Sequence, residues 1–205
     1  MYKALYNNPS ERAFITYSWV YWDNGFTDSE LLSLEQMCTN STEDGKTVGA
    51  ENLDDVRKIR RSKVKFYDRT DSSGWVFDKF NSIISVLNDR YYNFDLNGYN
   101  TFQYTEYEGS DQGTYDWHID LIHDTNNDND LTRKLSCVLM LNEQDKDFTG
   151  GNFEICQGNN SLPSVLPMPK GRLIAFPSYI AHRVTPVTSG KRKTIVIWVT
   201  GPKFR

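Results

Sequence analysis

The second half of the chain is divided into short runs of apolar and alternating residues, and turn-forming residues separate one run from the next. Short runs bounded by Gly, Pro, Asn and Asp are typical of the antiparallel strands of a sandwich or barrel. They predict a β-core of about seven or eight strands. The runs cover residues 99–107, 115–121, 135–142, 152–156, 172–176, 182–187 and 194–199.

The first half of the chain carries helical patterns. Thr27 and Glu30 form a capping box, which predicts a helix that begins after Thr27 and ends near residue 39. A second helix is predicted over residues 74–92, where apolar side chains recur close to every 3.6 residues. A strand over residues 13–21 is expected to precede both helices.

The length of 205 residues suits one domain that buries a real core. We therefore expect a single, mainly β domain of the α+β class. Residues 1–98 are expected to supply N-terminal strands and supporting helices, and residues 99–205 the β-core. The polar stretches at residues 40–52 and 123–130 are expected to be loops that act as lids over a site.

Charge and cysteine content restrict the partners and the location. A net charge of −4 gives the chain no general attraction for nucleic acid or anionic membranes, and no run is long enough to span a bilayer. Cys38, Cys137 and Cys156 are an odd number without close pairing, so free thiols are expected. The N-terminus shows no signal-peptide pattern, so the predicted location is cytoplasmic.

A histidine and an aspartate stand two residues apart at His118 and Asp120. On a strand, residues i and i+2 point to the same face, so an imidazole and a carboxylate would lie side by side. A third ligand would complete a two-histidine, one-carboxylate triad, which leaves positions on Fe(II) free for other molecules. His182 enters a later predicted strand and is favoured as that ligand. His123, which borders the Asn- and Asp-rich stretch and lacks strand context, remains the alternative.

Several motifs follow one another in the order found in a known family. They are Tyr115-Asp116-Trp117-His118-Ile119-Asp120, Leu135-Ser136, Gly150-Gly151-Asn152-Phe153, Gly171 to Ser178, His182-Arg183-Val184, Pro186 to Arg192, and Trp198. Over roughly residues 99–202, the chain resembles the prolyl 4-hydroxylase-like branch of the 2-oxoglutarate/Fe(II)-dependent dioxygenases, especially the small bacterial and phage type. Several motifs in the correct order are far more specific than the His-x-Asp pair alone.

The resemblance implies a double-stranded β-helix, or jelly-roll, core with the metal near one mouth. It implies His118, Asp120 and His182 as the iron ligands and catalytic centre, and Arg192 as the group that binds the distal carboxylate of 2-oxoglutarate. A planar guanidinium suits this task because it makes bidentate, charge-assisted hydrogen bonds to a carboxylate. Thr194 lies two residues farther along the same strand and is expected to add a hydroxyl contact. The implied cofactor is Fe(II), with 2-oxoglutarate and O2 as cosubstrates and ascorbate as a candidate reductant.

Two tyrosines upstream of the ligand pair match tyrosines of the family. Tyr107 is expected to hydrogen-bond 2-oxoglutarate, but the turn after it is longer than the family's usual one, so Tyr104 is an alternative. Tyr115 is expected to line the substrate side, and Trp117 is a candidate for the entrance unless it points outward. Met140 stands where some relatives carry a further tyrosine, so that second contact to the cosubstrate is not expected here.

The branch implies hydroxylation of an unactivated C–H bond, with a prolyl residue of a peptide or protein as the leading substrate and 2-oxoglutarate converted to succinate and CO2. A hydroxylase of a free amino acid or nucleobase, and a non-catalytic jelly-roll binding module, are the alternatives. The basic stretch at residues 57–65 could contact phosphates. Trp198, however, stands where nucleic-acid demethylases carry a second arginine, so nucleic acid is not the expected partner. A bacterial or phage-infected host cell is the implied setting, and the oligomeric state is left open.

Overall fold

The computed structural model describes residues 17–38, 42–45, 53–122, 131–156 and 162–203. Residues 13–16 of the predicted strand over residues 13–21 lie outside these ranges, as do most of the two predicted lids and His123. Within the described part of that prediction, the strand begins only at Val20. The described residues form three α-helices and two antiparallel sheets. None of the helices within these ranges is both long and apolar enough to cross a membrane.

Three α-helices precede the β-core, namely α1 (Asp28–Cys38), α2 (Leu53–Ile59) and α3 (Gly74–Leu87). The capping box at the start of α1 is present. The Thr27 N–H donates to Glu30 Oε2 at 2.8 Å, and the Glu30 N–H donates to Thr27 Oγ1 at 3.3 Å. Helix α3 continues into a π-helical turn, Asn88–Tyr92, that ends at Asn93 in a left-handed conformation with φ 51°. Both predicted helices are therefore confirmed.

The described residues contain thirteen strands, and β5 to β13 include part or all of each predicted run. Strand β6 ends at His118, before the predicted end of its run, and β13 begins at Val187, well before its own. The strands are β1 (Val20–Trp22), β2 (Glu43–Asp44), β3 (Arg60–Arg61), β4 (Lys63–Asp68), β5 (Thr101–Glu108), β6 (Thr114–His118), β7 (Leu131–Met140), β8 (Phe148–Gly150), β9 (Phe153–Cys156), β10 (Ser164–Leu166), β11 (Leu173–Pro177), β12 (Ala181–Val184) and β13 (Val187–Pro202).

Two sheets close over one another. The major sheet has the order β1-β11-β7-β13-β5-β4-β2, with β8 joined to β13, and the minor sheet has the order β10-β9-β12-β6-β3. A buried cluster between them contains Val138 and Met140 from the major sheet and Phe153 and Val184 from the minor sheet. This antiparallel arrangement around a common core confirms the predicted jelly-roll architecture.

The central strands of the major sheet are buried on both faces. Ile195 and Ile197 of β13 pack with Leu34 of α1 and Phe80 of α3 in a second core cluster. Their neighbours Arg192, Thr194, Val196 and Trp198 line a cavity on the other face, toward the minor sheet. Because side chains alternate along a strand, the parity of a residue in β13 decides whether it joins the helix-covered core or the cavity.

Gly190 offers a test of the junction between β8 and β13. Its φ is +68°, and a Cβ added there would lie 2.1 Å from the Asp147 carbonyl oxygen. We expect Gly190→Ala to lower the free energy of unfolding by at least about 1–3 kcal/mol, because both the backbone conformation and the close contact oppose a side chain. Urea unfolding followed by circular dichroism measures this change.

Gly74→Ala is the matched control. Gly74 begins α3, and a Cβ there would come no closer than 3.7 Å to the Arg69 guanidinium. The control should be neutral or slightly stabilising, because alanine is favoured over glycine where the backbone permits it. Equal unfolding free energies for the two variants would contradict the role assigned to Gly190.

Candidate metal and cosubstrate site

Three metal-ligating side chains meet at the ends of paired strands. His118 closes β6, Asp120 follows two residues later, and His182 lies in β12 directly opposite His118 in the antiparallel pairing. His118 Nε2 is 3.8 Å from Asp120 Oδ1, and His182 Nε2 is 3.4 Å from Asp120 Oδ2. One ligand atom from each residue can be chosen so that all lie within 4.8 Å of one another, so the three side chains could hold one metal ion.

A bulge in β6 shapes the site. Val184 pairs with Tyr115 and His182 with His118, so three steps along β6 face two steps along β12. The bulge brings Tyr115 and His118 to the same side, where their rings stack with centroids 3.5 Å apart. Trp117 is absent from the cavity wall and lies beneath the Arg183 guanidinium, 4.8 Å from its ring centroid. Of the two positions considered for Trp117, this contact outside the cavity wall favours the outward one.

Backbone carbonyl groups orient both imidazole rings. His118 Nδ1 is 2.7 Å from the Asp116 carbonyl oxygen, and His182 Nδ1 is 2.9 Å from that of Ile180. A carbonyl oxygen can only accept, so each Nδ1 carries the proton and each Nε2 lone pair points toward Asp120. This is the usual outer arrangement for metal-binding histidines, in which the hydrogen bond at one ring nitrogen fixes the other as the ligand.

Burial and neighbouring charges hold His118 and Asp120 in metal-binding protonation states. Burial and the neighbouring His182 lower the pKa of His118 to about 4. Burial raises the pKa of Asp120, but His182, His118, Ser136 and Trp198 together outweigh it and hold the pKa below its usual value. At neutral pH, His118 is therefore a neutral imidazole and Asp120 a carboxylate, which suits the two-histidine, one-carboxylate donor set used for Fe(II).

A cavity between the sheets extends from these ligands to Arg192. Most of its walls come from the inner faces of β5, β13, β6 and β12, and Arg60 of β3 adds a guanidinium 4.6 Å from the Tyr115 ring centroid. The cavity is lined by Arg60, Gln103, Tyr107, Tyr115, His118, Asp120, Val138, Phe153, His182, Val184, Arg192, Thr194, Val196 and Trp198.

Arg192 is a buried cation without an acidic partner among the described residues. Arg192 is only 1% exposed. Its Nη2 atom is 3.7 Å from Met168 Sδ, and its Nε atom has no hydrogen-bond partner within the described ranges. Burial lowers its pKa to about 10, so the group stays charged at neutral pH. A charged donor that is desolvated and unpaired is costly, and a ligand carboxylate would satisfy it. The residues present thus fit an anionic cosubstrate. Thr194 lies on the same face, also buried and lining the cavity.

The two tyrosines considered for the cosubstrate lie on opposite faces of β5. Tyr107 faces Arg192 across the β5–β13 pairing and lines the cavity, together with Gln103. Tyr104 points to the opposite face, packs in the helix-covered core, and donates its hydroxyl to Glu106 Oε1 at 2.7 Å. The alternative assignment to Tyr104 is therefore wrong. Gln103 was missed, although its even spacing from Tyr107 would have placed it on the same face.

The basic stretch at residues 57–65 is largely engaged within the molecule. Arg57 Nη2 contacts both Asp111 carboxylate oxygens, at 2.7 and 2.8 Å. Arg61 donates to the carbonyl groups of Asp111 and Gln112. These arginines brace the turn between β5 and β6, which leaves them poorly placed for the phosphate contacts considered from the sequence.

Comparison with curated proteins gives relatives for the second half of the chain. A PKHD-type hydroxylase of Stenotrophomonas maltophilia is 33% identical over 98 residues, which are 47% of this chain and 41% of that protein. A PKHD-type hydroxylase of Synechococcus sp. (strain CC9311) is 33% identical over 88 residues, which are 43% of this chain and 37% of that protein. The chain thus spans about two fifths of the length of these relatives.

Solved structures share the fold. A prolyl-4-hydroxylase of Pseudomonas putida superposes with a TM-score of 0.70 at 16% identity, covering 92% of this chain and 95% of that one. A prolyl hydroxylase from Trichoplax adhaerens, in complex with a hypoxia inducible factor peptide fragment, gives 0.69 at 21% identity, covering 89% and 83%. Residues 102–200 match the sequence profile of the 2OG-Fe(II) oxygenase superfamily. This matched segment contains His118, Asp120, His182 and Arg192, and it is similar to the 2OG-Fe(II) oxygenase superfamily.

Proposed function

We propose that this chain is an Fe(II)- and 2-oxoglutarate-dependent dioxygenase that hydroxylates an unactivated C–H bond. The observation that carries the proposal is that one cavity contains both the His118, Asp120 and His182 cluster and the buried guanidinium of Arg192, which has no acidic partner among the described residues. A metal site alone would fit many proteins. A metal site that shares a buried cavity with a cation lacking an acidic partner calls for a ligand that binds metal at one end and carries a carboxylate at the other.

The chain's own residues divide the work of binding. His118, Asp120 and His182 would hold Fe(II), and Arg192 with Thr194 would hold the distal carboxylate of 2-oxoglutarate. When bound, the iron and the cosubstrate supply the oxidising chemistry, in which O2 is consumed and succinate and CO2 are formed. The apolar walls formed by Val138, Phe153 and Val196 exclude water from this space.

The leading substrate is a prolyl residue in a peptide or protein. This assignment is supported by the prolyl hydroxylases that share the fold, one of which was solved with a peptide fragment bound. Tyr115 lines the cavity beside the metal ligands and is the expected substrate-side wall. Ascorbate as reductant and a cytoplasmic location remain predictions.

Removal of Asp120 tests the metal site. Loss of a group that hydrogen-bonds a metal ligand typically weakens metal binding by roughly 10- to 100-fold. We expect Asp120→Ala to weaken Fe(II) binding by more than this, because a direct ligand is removed. Anaerobic titration calorimetry measures the affinity. Asp116→Ala is the control, because Asp116 is exposed and its side chain accepts only from the Trp117 N–H within the described structure. Unchanged Fe(II) affinity in Asp120→Ala would rule out the assigned ligand set.

Removal of the Arg192 charge tests the cosubstrate site. Arg192→Gln should raise the KM for 2-oxoglutarate on the order of 10- to 100-fold, since hydrogen bonds to a charged group are lost in a buried site. Lys191→Gln makes the same change of charge one residue earlier, on a side chain 52% exposed that pairs with Glu108, and should leave the KM unchanged. Succinate formation at varied 2-oxoglutarate gives both values. An equal KM in Arg192→Gln and the parent would exclude Arg192 as the anchor.

Turnover against a panel tests the reaction and the substrate class. The protein with Fe(II), 2-oxoglutarate and O2 is expected to form succinate and to add one oxygen atom to a proline-rich peptide, as detected by mass spectrometry. His182→Ala is the inactive control. Oxygen gained only by a free amino acid or a nucleoside would contradict the peptide substrate but keep the dioxygenase. No succinate and no oxygenated product from any compound would favour a non-catalytic binding module.

A further inference from the structure

The side chain of Arg192 is held by groups that do not neutralise it. Gly151 packs against its stem, because a Cβ at Gly151 would lie 3.0 Å from Arg192 Cδ. The Tyr107 ring centroid is 5.5 Å from the guanidinium carbon, and the Met168 sulfur is 3.7 Å from Nη2. Within the described part of the chain, the thioether is the side-chain acceptor that Arg192 reaches, and Nε has none.

Met168 supports the guanidinium without facing the ligand. It is 5% exposed, lies in the segment between β10 and β11, and belongs to the core cluster between the sheets. The described cavity walls do not include Met168, so its contact with Arg192 lies outside the space that a cosubstrate would fill. A thioether is only a weak hydrogen-bond acceptor. A glutamine or glutamate side chain has a similar length and would place a strong acceptor against the same N–H group.

We propose that Met168 is a positioning residue that sets the affinity of the cosubstrate site, an inference that rests on the proposed function. Its side chain fills the space beside the guanidinium of Arg192 with no more than a weak acceptor, which leaves the positive charge and the hydrogen-bond donors available to the distal carboxylate of a dicarboxylic ligand. A stronger acceptor at residue 168 would compete with that carboxylate. The residue at position 168 therefore controls how much the hydrogen bonds between Arg192 and the carboxylate contribute to the binding free energy of the ligand.

A series of substitutions at this one residue tests the proposal with two readouts. 2-Oxoglutarate affinity is measured by anaerobic titration of the Fe(II)-loaded protein, and the Tm is measured without 2-oxoglutarate. Met168→Leu should bind 2-oxoglutarate as the parent does, and Met168→Gln should bind more weakly. Met168→Glu should weaken binding on the order of 10- to 100-fold and raise the ligand-free Tm, because its carboxylate pairs with Arg192.

Val165→Glu is the matched control for the added charge. Val165 lies in β10, three residues before Met168, and is 56% exposed. This variant should keep both the affinity and the Tm, because its carboxylate is in water and outside the contact set of Arg192. A loss of affinity equal to that of Met168→Glu would show that added negative charge acts at long range, which would overturn the local role of Met168.

The remaining outcomes separate the inference from the proposed function. Parent-like affinity in both Met168→Gln and Met168→Glu overturns the inference, as does a loss in Met168→Leu as large as that in Met168→Glu. If the parent protein does not bind 2-oxoglutarate, the proposed function fails. The Tm measured without 2-oxoglutarate then decides the inference. If the Tm of Met168→Glu is no higher than that of the parent, a carboxylate at residue 168 does not pair with Arg192.

Discussion

The alternation of side chains along β13 is the constraint on which the rest of the structure depends. This 16-residue strand pairs with β5, β7 and β8, so its register is fixed from both sides. One set of its side chains packs under the helices, and the other set carries Arg192, Thr194 and Trp198 into the cavity. Because a shift of one residue would exchange the two sets, the same hydrogen bonds that hold the core together also aim the candidate cosubstrate anchor.

Within the described residues, the strand pairings of the minor sheet have one register shift, and it lies at the candidate metal ligands. Because of the bulge, Tyr115 and His118 both point into the cavity although they are three residues apart, and Trp117 between them points outward. The stacked Tyr115 ring then limits where the His118 ring can turn, while the Asp116 carbonyl fixes which nitrogen is protonated. The orientation of His118 thus comes from one backbone irregularity together with contacts made within the same strand.

What could be predicted from the sequence depends on local rules. The capping box at Thr27 and the motif order around His182 and Arg192 each specify structure through neighbours a few residues apart or through spacing along one strand. Tyr104 and Tyr107 could not be separated in this way. Both faces of β5 are buried, so hydrophobicity does not mark the inner one. The outward position of Trp117 follows from the bulge in β6. No residue type in the sequence predicts this bulge, because it depends on the register of β6 against β12.

The facing positions of His118 and His182 have a consequence for the whole minor sheet. The two residues are 64 positions apart in the sequence, yet they occupy one rung of the β6–β12 ladder. An ion held by both acts as a non-covalent cross-link that closes a long loop, and its binding free energy adds to the free energy that keeps these strands paired. The strength of that pairing and the occupancy of the candidate metal site would then be thermodynamically linked.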